Sequence, residues 1–105
     1  MNSSYKVKKN DKVVIFGHKG LIGSALLREL KLRKYKNIIT PPKRTLILLN
    51  VTKVDKFFSK NRPKVVLIAA ARVGGIHANS TYPFNFLYEN MVIQNNIISS
   101  SIKFS

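Results

Sequence analysis

Three glycines at intervals of three residues follow a short apolar run near the start of the chain. Gly17, Gly20 and Gly23 come directly after Val13–Phe16 and lead into a stretch with helical periodicity. In such a strand-to-helix turn the first glycine allows a tight turn, the second lets a phosphate approach the backbone, and the third permits close packing. Helix N-terminal amides favour an anion. The spacing therefore predicts a dinucleotide pyrophosphate site; the alternative is a glycine-rich turn without a ligand.

The segments around these glycines predict an α/β fold. Val13–Phe16 and Val65–Ala71 are unbroken apolar runs, typical of parallel strands buried on both faces. Apolar periodicity predicts helices from Leu21 to about Lys34 and from Thr52 to Lys60. The side chains expected to face inward are Ile22, Leu26 and Leu30 of the first helix and Val54, Phe57 and Phe58 of the second. Together these elements predict a Rossmann-like parallel sheet with flanking helices.

The stretch between the two predicted helices is ambiguous. Asn37–Thr40 is typical of a strand, and so is Leu46–Leu49. The five residues between them are too few for a parallel crossover. The two runs are therefore either an antiparallel pair or one interrupted strand.

A last helix is predicted from Phe84 to the end of the chain. One set of its apolar residues has helical spacing, whereas Ile93 and Ile97 make other sides of the helix apolar as well. Such a helix needs cover on more than one face. The first set contains Phe84, Leu87, Tyr88, Met91, Ile98 and Ile102.

Composition limits the class of protein. The 105 residues include 19 Lys and Arg but 4 Asp and Glu, so the net charge is +15, which suggests a polyanion as partner. The basic residues are scattered along the chain, and nucleic acid is therefore not expected to bind.

With no cysteine and two isolated histidines, no metal site is expected. No run of apolar residues is long enough for a membrane span or signal peptide, which predicts a cytoplasmic protein. Residues 1–11 are predicted to be a flexible tail.

The chain resembles the GDP-L-fucose synthases, members of the extended short-chain dehydrogenase/reductase superfamily, from Lys12 to about Ser101. The Gly17–Ala25 segment is similar to their cofactor loop, and the segments Ala69–Asn79 and Thr81–Pro83 are similar to their central region. The resemblance implies an NADP-dependent epimerase/reductase acting on a GDP-4-keto-6-deoxy sugar, and it makes Asn90 a candidate supporting residue. The implied cofactor contacts are Gly17, His18, Lys19, Gly20, Leu21, Ile22, Gly23, Ala69, Ala70 and Ala71.

The choice between NAD and NADP depends on the residues after the second strand. NAD-binding sites of this kind carry an acidic residue about 20 positions beyond the loop, and NADP sites carry a basic one. No acidic residue lies between Glu29 and Asp55, and Lys43 and Arg44 follow the second strand. This favours NADP, with Lys43 and Arg44 as candidate contacts to its 2′-phosphate. Where the family carries an arginine and then Leu-Asp-Leu, this chain has Pro41 and Leu46–Leu48. The resemblance therefore does not extend to the side of the cofactor site that binds adenosine.

The resemblance also predicts what is missing. The family's catalytic Ser and Tyr-x-x-x-Lys pair are expected to be absent from this chain, because Tyr82 and Tyr88 have Phe86 and Val92 four positions on. Residues 12–105 would then be a partial NAD(P)-binding domain, the N-terminal half, inactive and marginally stable or self-associating when alone. The alternatives are a non-catalytic dinucleotide-binding module, which pairs with another chain through its last helix, and a basic nucleic-acid-binding protein. A homodimer through the helix 84–105 is one such pairing.

Overall fold

The structure is a computed structural model of the 105-residue chain and describes residues 6–41, 48–69 and 83–104, with the backbone alone for residues 83–87. Strands and helices alternate along the chain. In chain order the elements are β1 (Val13–Phe16), α1 (Leu21–Leu32), β2 (Ile38–Ile39), α2 (Val51–Asn61), β3 (Val65–Ile68) and α3 (Pro83–Lys103).

The three strands form one parallel sheet in the order β2-β1-β3. Val13 of β1 is opposite Ile38 of β2 on one side and Val65 of β3 on the other. The chain thus passes from β1 through α1 to one neighbour and through α2 to the other. The predicted parallel α/β sheet is confirmed.

Burial differs between the strands. All four residues of β1 are buried, with 0% to 4% of their surface exposed, as expected for the central strand. In β3, Val65, Val66 and Leu67 are half-buried and Ile68 is exposed, so the prediction of a fully buried strand was wrong for its described residues. The reason is position, because β3 is at an edge of the sheet that the described residues form.

The main core lies between the sheet and the helices α2 and α3. Phe16 of β1 contacts Phe57 and Phe58 of α2, with ring centroids 5.6 and 6.0 Å away. The predicted inward residues of α2 are confirmed, since Phe58 is buried, and Phe57 packs against the same cluster. Full burial of such a side chain contributes about 1.5–3 kcal/mol. The buried residues of the cluster are Val14, Phe16, Leu48, Val54, Phe58, Ile93 and Ile97.

The predicted strand at Leu46–Leu49 is wrong for the two of its residues that the structure describes. Leu48 and Leu49 have helical backbone, whereas Leu46 and Ile47 are outside the described residues. Leu48 is buried in the core, and its carbonyl accepts a hydrogen bond from the Asn96 side chain at 2.9 Å. An apolar run buried by a helix cannot be told from a buried strand by periodicity alone.

The apolar stripe predicted on α1 is partly wrong. Ile22 is 68% exposed, while Leu26 and Leu30 are half-buried. Gly23 is the one residue of α1 that is buried, because its lack of a side chain lets this side of the helix meet the preceding turn. The side of α1 that faces the sheet therefore centres on Gly23 instead of Ile22.

Helix α3 buries a different face from the one formed by its first apolar set. Ile93 and Ile97 are buried, together with the polar residues Asn96 and Ser100. The first apolar set lies outward where its side chains are described: the exposed members are Tyr88, Met91, Ile98 and Ile102. Among the described residues the helix is thus apolar on more than one face, as predicted, and the face of Ile93 and Ile97 is the covered one.

Residues 8–11, within the segment predicted as a flexible tail, form a hydrogen-bonded turn. The Asp11 amide donates to the Lys8 carbonyl at 3.0 Å, and the Lys8 amide donates to the Asp11 carboxylate at 2.8 Å. The Lys9 carbonyl accepts from the Lys36 amide at 3.0 Å, which attaches the turn to the segment before β2. None of the helices in the described part of the chain is long and apolar enough to cross a membrane.

Candidate functional site

The glycine loop, residues 17–23, joins β1 to α1 in a tight turn. Gly17 has φ of 89°, in the left-handed region that favours glycine. The Gly20 amide donates to the Gly17 carbonyl at 3.1 Å and closes the turn, and α1 begins at Leu21. The first glycine therefore has the conformational role that the spacing predicts.

Gly23 is required by packing inside the protein. A Cβ at this position would lie 1.9 Å from the carbonyl oxygen and 2.7 Å from the carbonyl carbon of Gly17. Both are backbone atoms, which cannot move aside as a flexible side chain could. The first turn of α1 can pack against the end of β1 only because residue 23 has no side chain.

Gly20 has neither of these reasons to be glycine. Its φ of −76° and ψ of 175° are open to other residues. A Cβ built on it would meet the Gly17 oxygen at 3.5 Å, an ordinary contact. Glycine is favoured at a helix N-cap, but so are residues with a capping side chain, which the fold could accept here. The choice of glycine therefore favours a ligand that approaches the backbone at residue 20.

The electrostatic environment of the loop suits an anion. The first turn of α1 contains no acidic residue, and its N-cap, Gly20, offers no side-chain acceptor. By contrast, α2 has its N-terminal amide capped by Asn50, whose side chain accepts from the Lys53 amide at 3.1 Å. The positive end of α1 is therefore left for an external acceptor. Exposed side chains beside it are those of Lys19, Leu21 and Ile22.

His18 contributes an unsatisfied polar atom to the loop. Its Nδ1 is the one buried side-chain nitrogen or oxygen without a hydrogen-bond partner among the described residues. The residue as a whole is half-buried. A buried polar group without a partner is costly, so a ligand or water that bonded Nδ1 would be favoured.

The end of β3 lies next to the glycine loop. The Ala69 amide donates to the Phe16 carbonyl at 2.8 Å, directly before Gly17. The chain passes from β1 to β2 on one side and then crosses to β3 on the other side of β1, so this carboxyl edge between β1 and β3 is the switch point where open α/β sheets bind ligands. The structure thus brings together residues 17–23 and Ala69. The candidate residues Lys43, Arg44, Ala70 and Ala71 are outside the described residues.

Asn90 is half-buried on α3, and its supporting role stays a prediction. Sequence reasoning did not single out three polar residues that join α3 to the rest of the fold. Ser100, fully buried, donates to Asp55 of α2 at 2.5 Å, and Asn96 donates to the Leu48 carbonyl. The signal was available, because Asn96 and Ser100 continue the spacing of Ile93 and Ile97.

The expectation that the chain contains no Tyr-x-x-x-Lys spacing was wrong as a statement about its sequence. The spacing occurs once, from Tyr5 to Lys9. Tyr5 is outside the described residues, and the Lys9 ammonium lies 4.1 Å from the centroid of the Tyr35 ring. Lys9 is beside the segment that leads into β2, at the amino end of the strands. It is therefore at the opposite end of the sheet from the glycine loop and cannot serve a site there.

Comparison with known proteins agrees with this geometry. The sequence profile of the NAD dependent epimerase/dehydratase family matches residues 13–104, which is most of the chain. The chain belongs to this family. The match begins at the first residue of β1 and includes the glycine loop and the helices α1, α2 and α3.

Individual relatives are similar over a limited part of their own length. The chain is 40% identical over 102 residues to a probable GDP-L-fucose synthase from Oryza sativa subsp. japonica, covering 97% of this chain and 31% of that protein. It is 43% identical over 90 residues to the GDP-L-fucose synthase of Escherichia coli K12, covering 86% and 28%. The chain thus spans about three tenths of the length of these curated relatives.

Two solved structures resemble the fold. A GDP-mannoheptose C4 reductase from Campylobacter jejuni with NADP bound has a TM-score of 0.85 at 37% identity, over 92% of this chain and 31% of that one. A GDP-L-fucose synthetase from Naegleria fowleri bound to NADP has a TM-score of 0.78 at 26% identity, over 95% and 30%. The fold of this chain therefore resembles part of two chains that are solved with NADP.

Proposed function

We propose that this chain is the NADP-binding part of a GDP-L-fucose synthase-like epimerase/reductase. The observation that carries the proposal is Gly20, which the packing and the backbone conformation leave unexplained and which a pyrophosphate against the backbone explains. The uncapped N-terminus of α1 and the unsatisfied Nδ1 of His18 support the same ligand at the same place.

The residues of the loop have separate parts in this proposal. The amides of the first turn of α1 would donate to the pyrophosphate, and Lys19 would add positive charge beside it. Leu21 and Ile22 are 89% and 68% exposed, and a bound dinucleotide would cover apolar surface there. Ala69, with Ala70 and Ala71, would line the cofactor at the end of β3. When bound, NADPH would supply a hydride, and the loop residues and the alanines would hold and orient the cofactor.

The preference for NADP over NAD belongs to the proposal too. No acidic residue stands between Glu29 and Asp55 in the sequence to bind the ribose hydroxyls, and Lys43 and Arg44 follow β2. Two of the structural relatives are solved with NADP. We expect NADPH to bind more tightly than NADH.

The substrate and reaction of the whole protein are proposed from the relatives, whose names give GDP-L-fucose synthesis. The substrate would be a GDP-4-keto-6-deoxy sugar, and the 105-residue chain alone would bind NADPH without turning it over. The alternative is a dinucleotide-binding module with no catalytic part. Cytoplasmic location stays a prediction.

Calorimetric titration of the chain with NADPH and NADH tests the proposal. We expect saturable binding at one site, tighter for NADPH, and no consumption of NADPH when GDP-4-keto-6-deoxymannose is added to the chain alone. Absence of saturable binding by the folded chain would rule out the proposal. Tighter binding of NADH would rule out the NADP assignment while leaving the dinucleotide site.

The exposed face of α3 supports the predicted homodimer through the helix 84–105. Met91 and Ile102 are 69% and 72% exposed, and Tyr88 and Ile98 lie on the same helix with half or more of their surface exposed. A shallow apolar depression on this helix includes Tyr88, Met91 and Ile98. An apolar face of this kind is stabilised when another surface covers it. We therefore propose that two copies pair through α3.

A further inference from the structure

The fold gathers cations that are far apart in the sequence at the amino edge of the sheet, opposite the glycine loop. Lys36, Lys12 and Lys64 come just before β2, β1 and β3, whose first residues pair at Val13. The Lys64 amide donates to the Lys12 carbonyl at 2.8 Å, and the Lys36 amide donates to the Lys9 carbonyl at 3.0 Å. These bonds place the basic segments side by side. We call Lys9, Lys12, Lys34, Lys36, Arg62 and Lys64 the basic edge.

The two ends of the basic edge are fixed by the ends of helices. Lys34 follows α1 with φ of 70°, and its neighbour Tyr35 has the Lys9 ammonium 4.1 Å from its ring centroid. At the other end, the Lys12 ammonium donates to the Asn61 carbonyl at 2.9 Å, which puts it beside Arg62 at the end of α2. The helix C-termini carry negative partial charge, which accounts for cations beside them such as Lys12, but not for Lys36 and Lys64 before the two outer strands.

Most of these cations face solvent. Lys9, Lys34, Lys36, Arg62 and Lys64 are exposed, and Lys12 is half-buried. The carboxylate described within this edge is that of Asp11, which accepts from the Lys8 amide at 2.8 Å. The edge therefore combines several positive side chains with one negative one, an imbalance that attracts a polyanion.

The arrangement fits a chain of phosphates better than a single anion. Neighbouring strands are about 4.8 Å apart, so the cations before three strands form a row about 10 Å long. The half-buried ring of Tyr35 lies beside this row, with the Lys9 ammonium 4.1 Å from its centroid, and surfaces that bind single-stranded nucleic acid combine such positive charge with aromatic residues. We infer that the basic edge binds the phosphate backbone of single-stranded nucleic acid without sequence preference. This inference is independent of the proposed cofactor site at the other edge.

Matched charge variants of the 105-residue chain test the inference by fluorescence anisotropy with labelled oligothymidylate. Lys9→Gln, Lys36→Gln and Lys64→Gln together remove three charges from the basic edge. Arg28→Gln, Lys53→Gln and Lys56→Gln remove three exposed charges from α1 and α2. We expect saturable binding by the native chain, with affinity falling steeply as salt rises. The edge variant should bind at least tenfold more weakly. The slope of its log affinity against log salt concentration should be smaller by about 2, because each of three lost phosphate contacts accounts for about 0.7. The affinity of the control variant should change less than threefold.

Three outcomes of the binding assays would overturn the inference. One is an equal loss of oligonucleotide affinity in the edge variant and the control variant, which would assign the binding to net charge. Another is that the native chain does not bind the oligonucleotide at low salt. The third is tighter binding to phosphatidylserine vesicles than to the oligonucleotide, which would point to a membrane surface.

Ultraviolet crosslinks on the native chain give a measurement that does not depend on variants: they should map to residues 8–12, 34–37 or 62–64, and crosslinks confined to other segments would contradict the inference. NADPH binding by the edge variant should be unchanged, so a failure here is distinct from failure at the cofactor site.

Discussion

The glycines of the loop show that residues of one type can be required for different physical reasons. Gly17 is needed for a positive φ, Gly23 for the absence of a Cβ, and Gly20 for neither. The spacing in the sequence indicates all three positions but cannot separate these reasons. The separation needs coordinates, because it depends on the distance from each virtual Cβ to the backbone of Gly17.

Replacing Gly23 with alanine should destabilise the fold strongly. The new Cβ would lie 1.9 Å from the Gly17 oxygen, so α1 must move away from β1. Overpacking of this kind costs about 1–3 kcal/mol or more. Urea denaturation followed by circular dichroism measures the change, with Gly20→Ala as the matched control, which should lose only about 1 kcal/mol or less from alanine at the N-cap. Equal midpoints for Gly23→Ala and the native chain would contradict the packing account.

The ionisation of Asp55 makes the stability of the fold depend on pH. The hydrogen bond from Ser100, and then the ammonium of Lys103 at 3.3 Å, hold the pKa of the Asp55 carboxyl below its ordinary value. Since the folded pKa is the lower one, the stabilisation is present above the unfolded pKa. It is lost as the pH falls from that value through the folded pKa.

Asp55→Asn should therefore reduce the stability of the fold at neutral pH, and the stability of this variant should decrease less than that of the native chain as the pH falls. Thermal unfolding from about pH 6 down to about pH 3 would measure this. Glu29→Gln is the control, because it also removes one carboxylate, from an exposed pair with Arg33. If Asp55→Asn and the native chain lost stability in parallel over this range, the contact with Ser100 would not be the cause.

At the scale of elements, the long regular segments could be predicted and the short ones could not. The central strand and the helices α1, α2 and α3 follow from apolar runs and periodicity, within a few residues at their ends. Leu48 and Leu49 could not be assigned, because a short apolar run has the same pattern in a buried helix as in a strand. The face of α3 that is buried was also ambiguous, since both sides are apolar and tertiary packing decides between them.

The start of α2 depends on one side chain. Asn50 accepts from the Lys53 amide at 3.1 Å and so satisfies an amide that the helix leaves without a partner. Asn50→Ala should lower the free energy of unfolding by about 1 kcal/mol, and Asn50→Ser should keep most of it. Chemical denaturation of the three chains is the measurement. An alanine variant as stable as the serine variant would show that the cap contributes little.

For the whole molecule, the sequence predicts the parallel sheet and the place of the glycine loop, but not which cations come together. Lys9, Lys36 and Lys64 are separated along the chain and adjacent in the fold. Their proximity follows from the pairing of β1 with strands on both sides, which is a tertiary property. The same pairing brings Ala69 to the glycine loop, which the motif alone does not reveal.

Self-association through α3 is expected at the same scale. Met91→Asp places a charge on the exposed apolar face of this helix and should shift the chain from dimer to monomer in sedimentation velocity. Lys53→Asp, on the exposed side of α2, is the control and should leave the dimer in place. A native chain that sediments as a monomer at all concentrations would contradict the proposed pairing.

The most direct test of the cofactor site is NADPH binding by the Gly20→Ala variant. A Cβ at residue 20 fits the folded chain, at 3.5 Å from the Gly17 oxygen, but would occupy the space that a pyrophosphate needs. Calorimetry should show at least a tenfold loss of NADPH affinity for Gly20→Ala, while its stability falls by about 1 kcal/mol or less, the cost of alanine at an N-cap. Ser59→Ala on the exposed side of α2 should keep the native affinity. Native affinity in the Gly20→Ala variant would contradict the account of the glycine loop as the site of the dinucleotide.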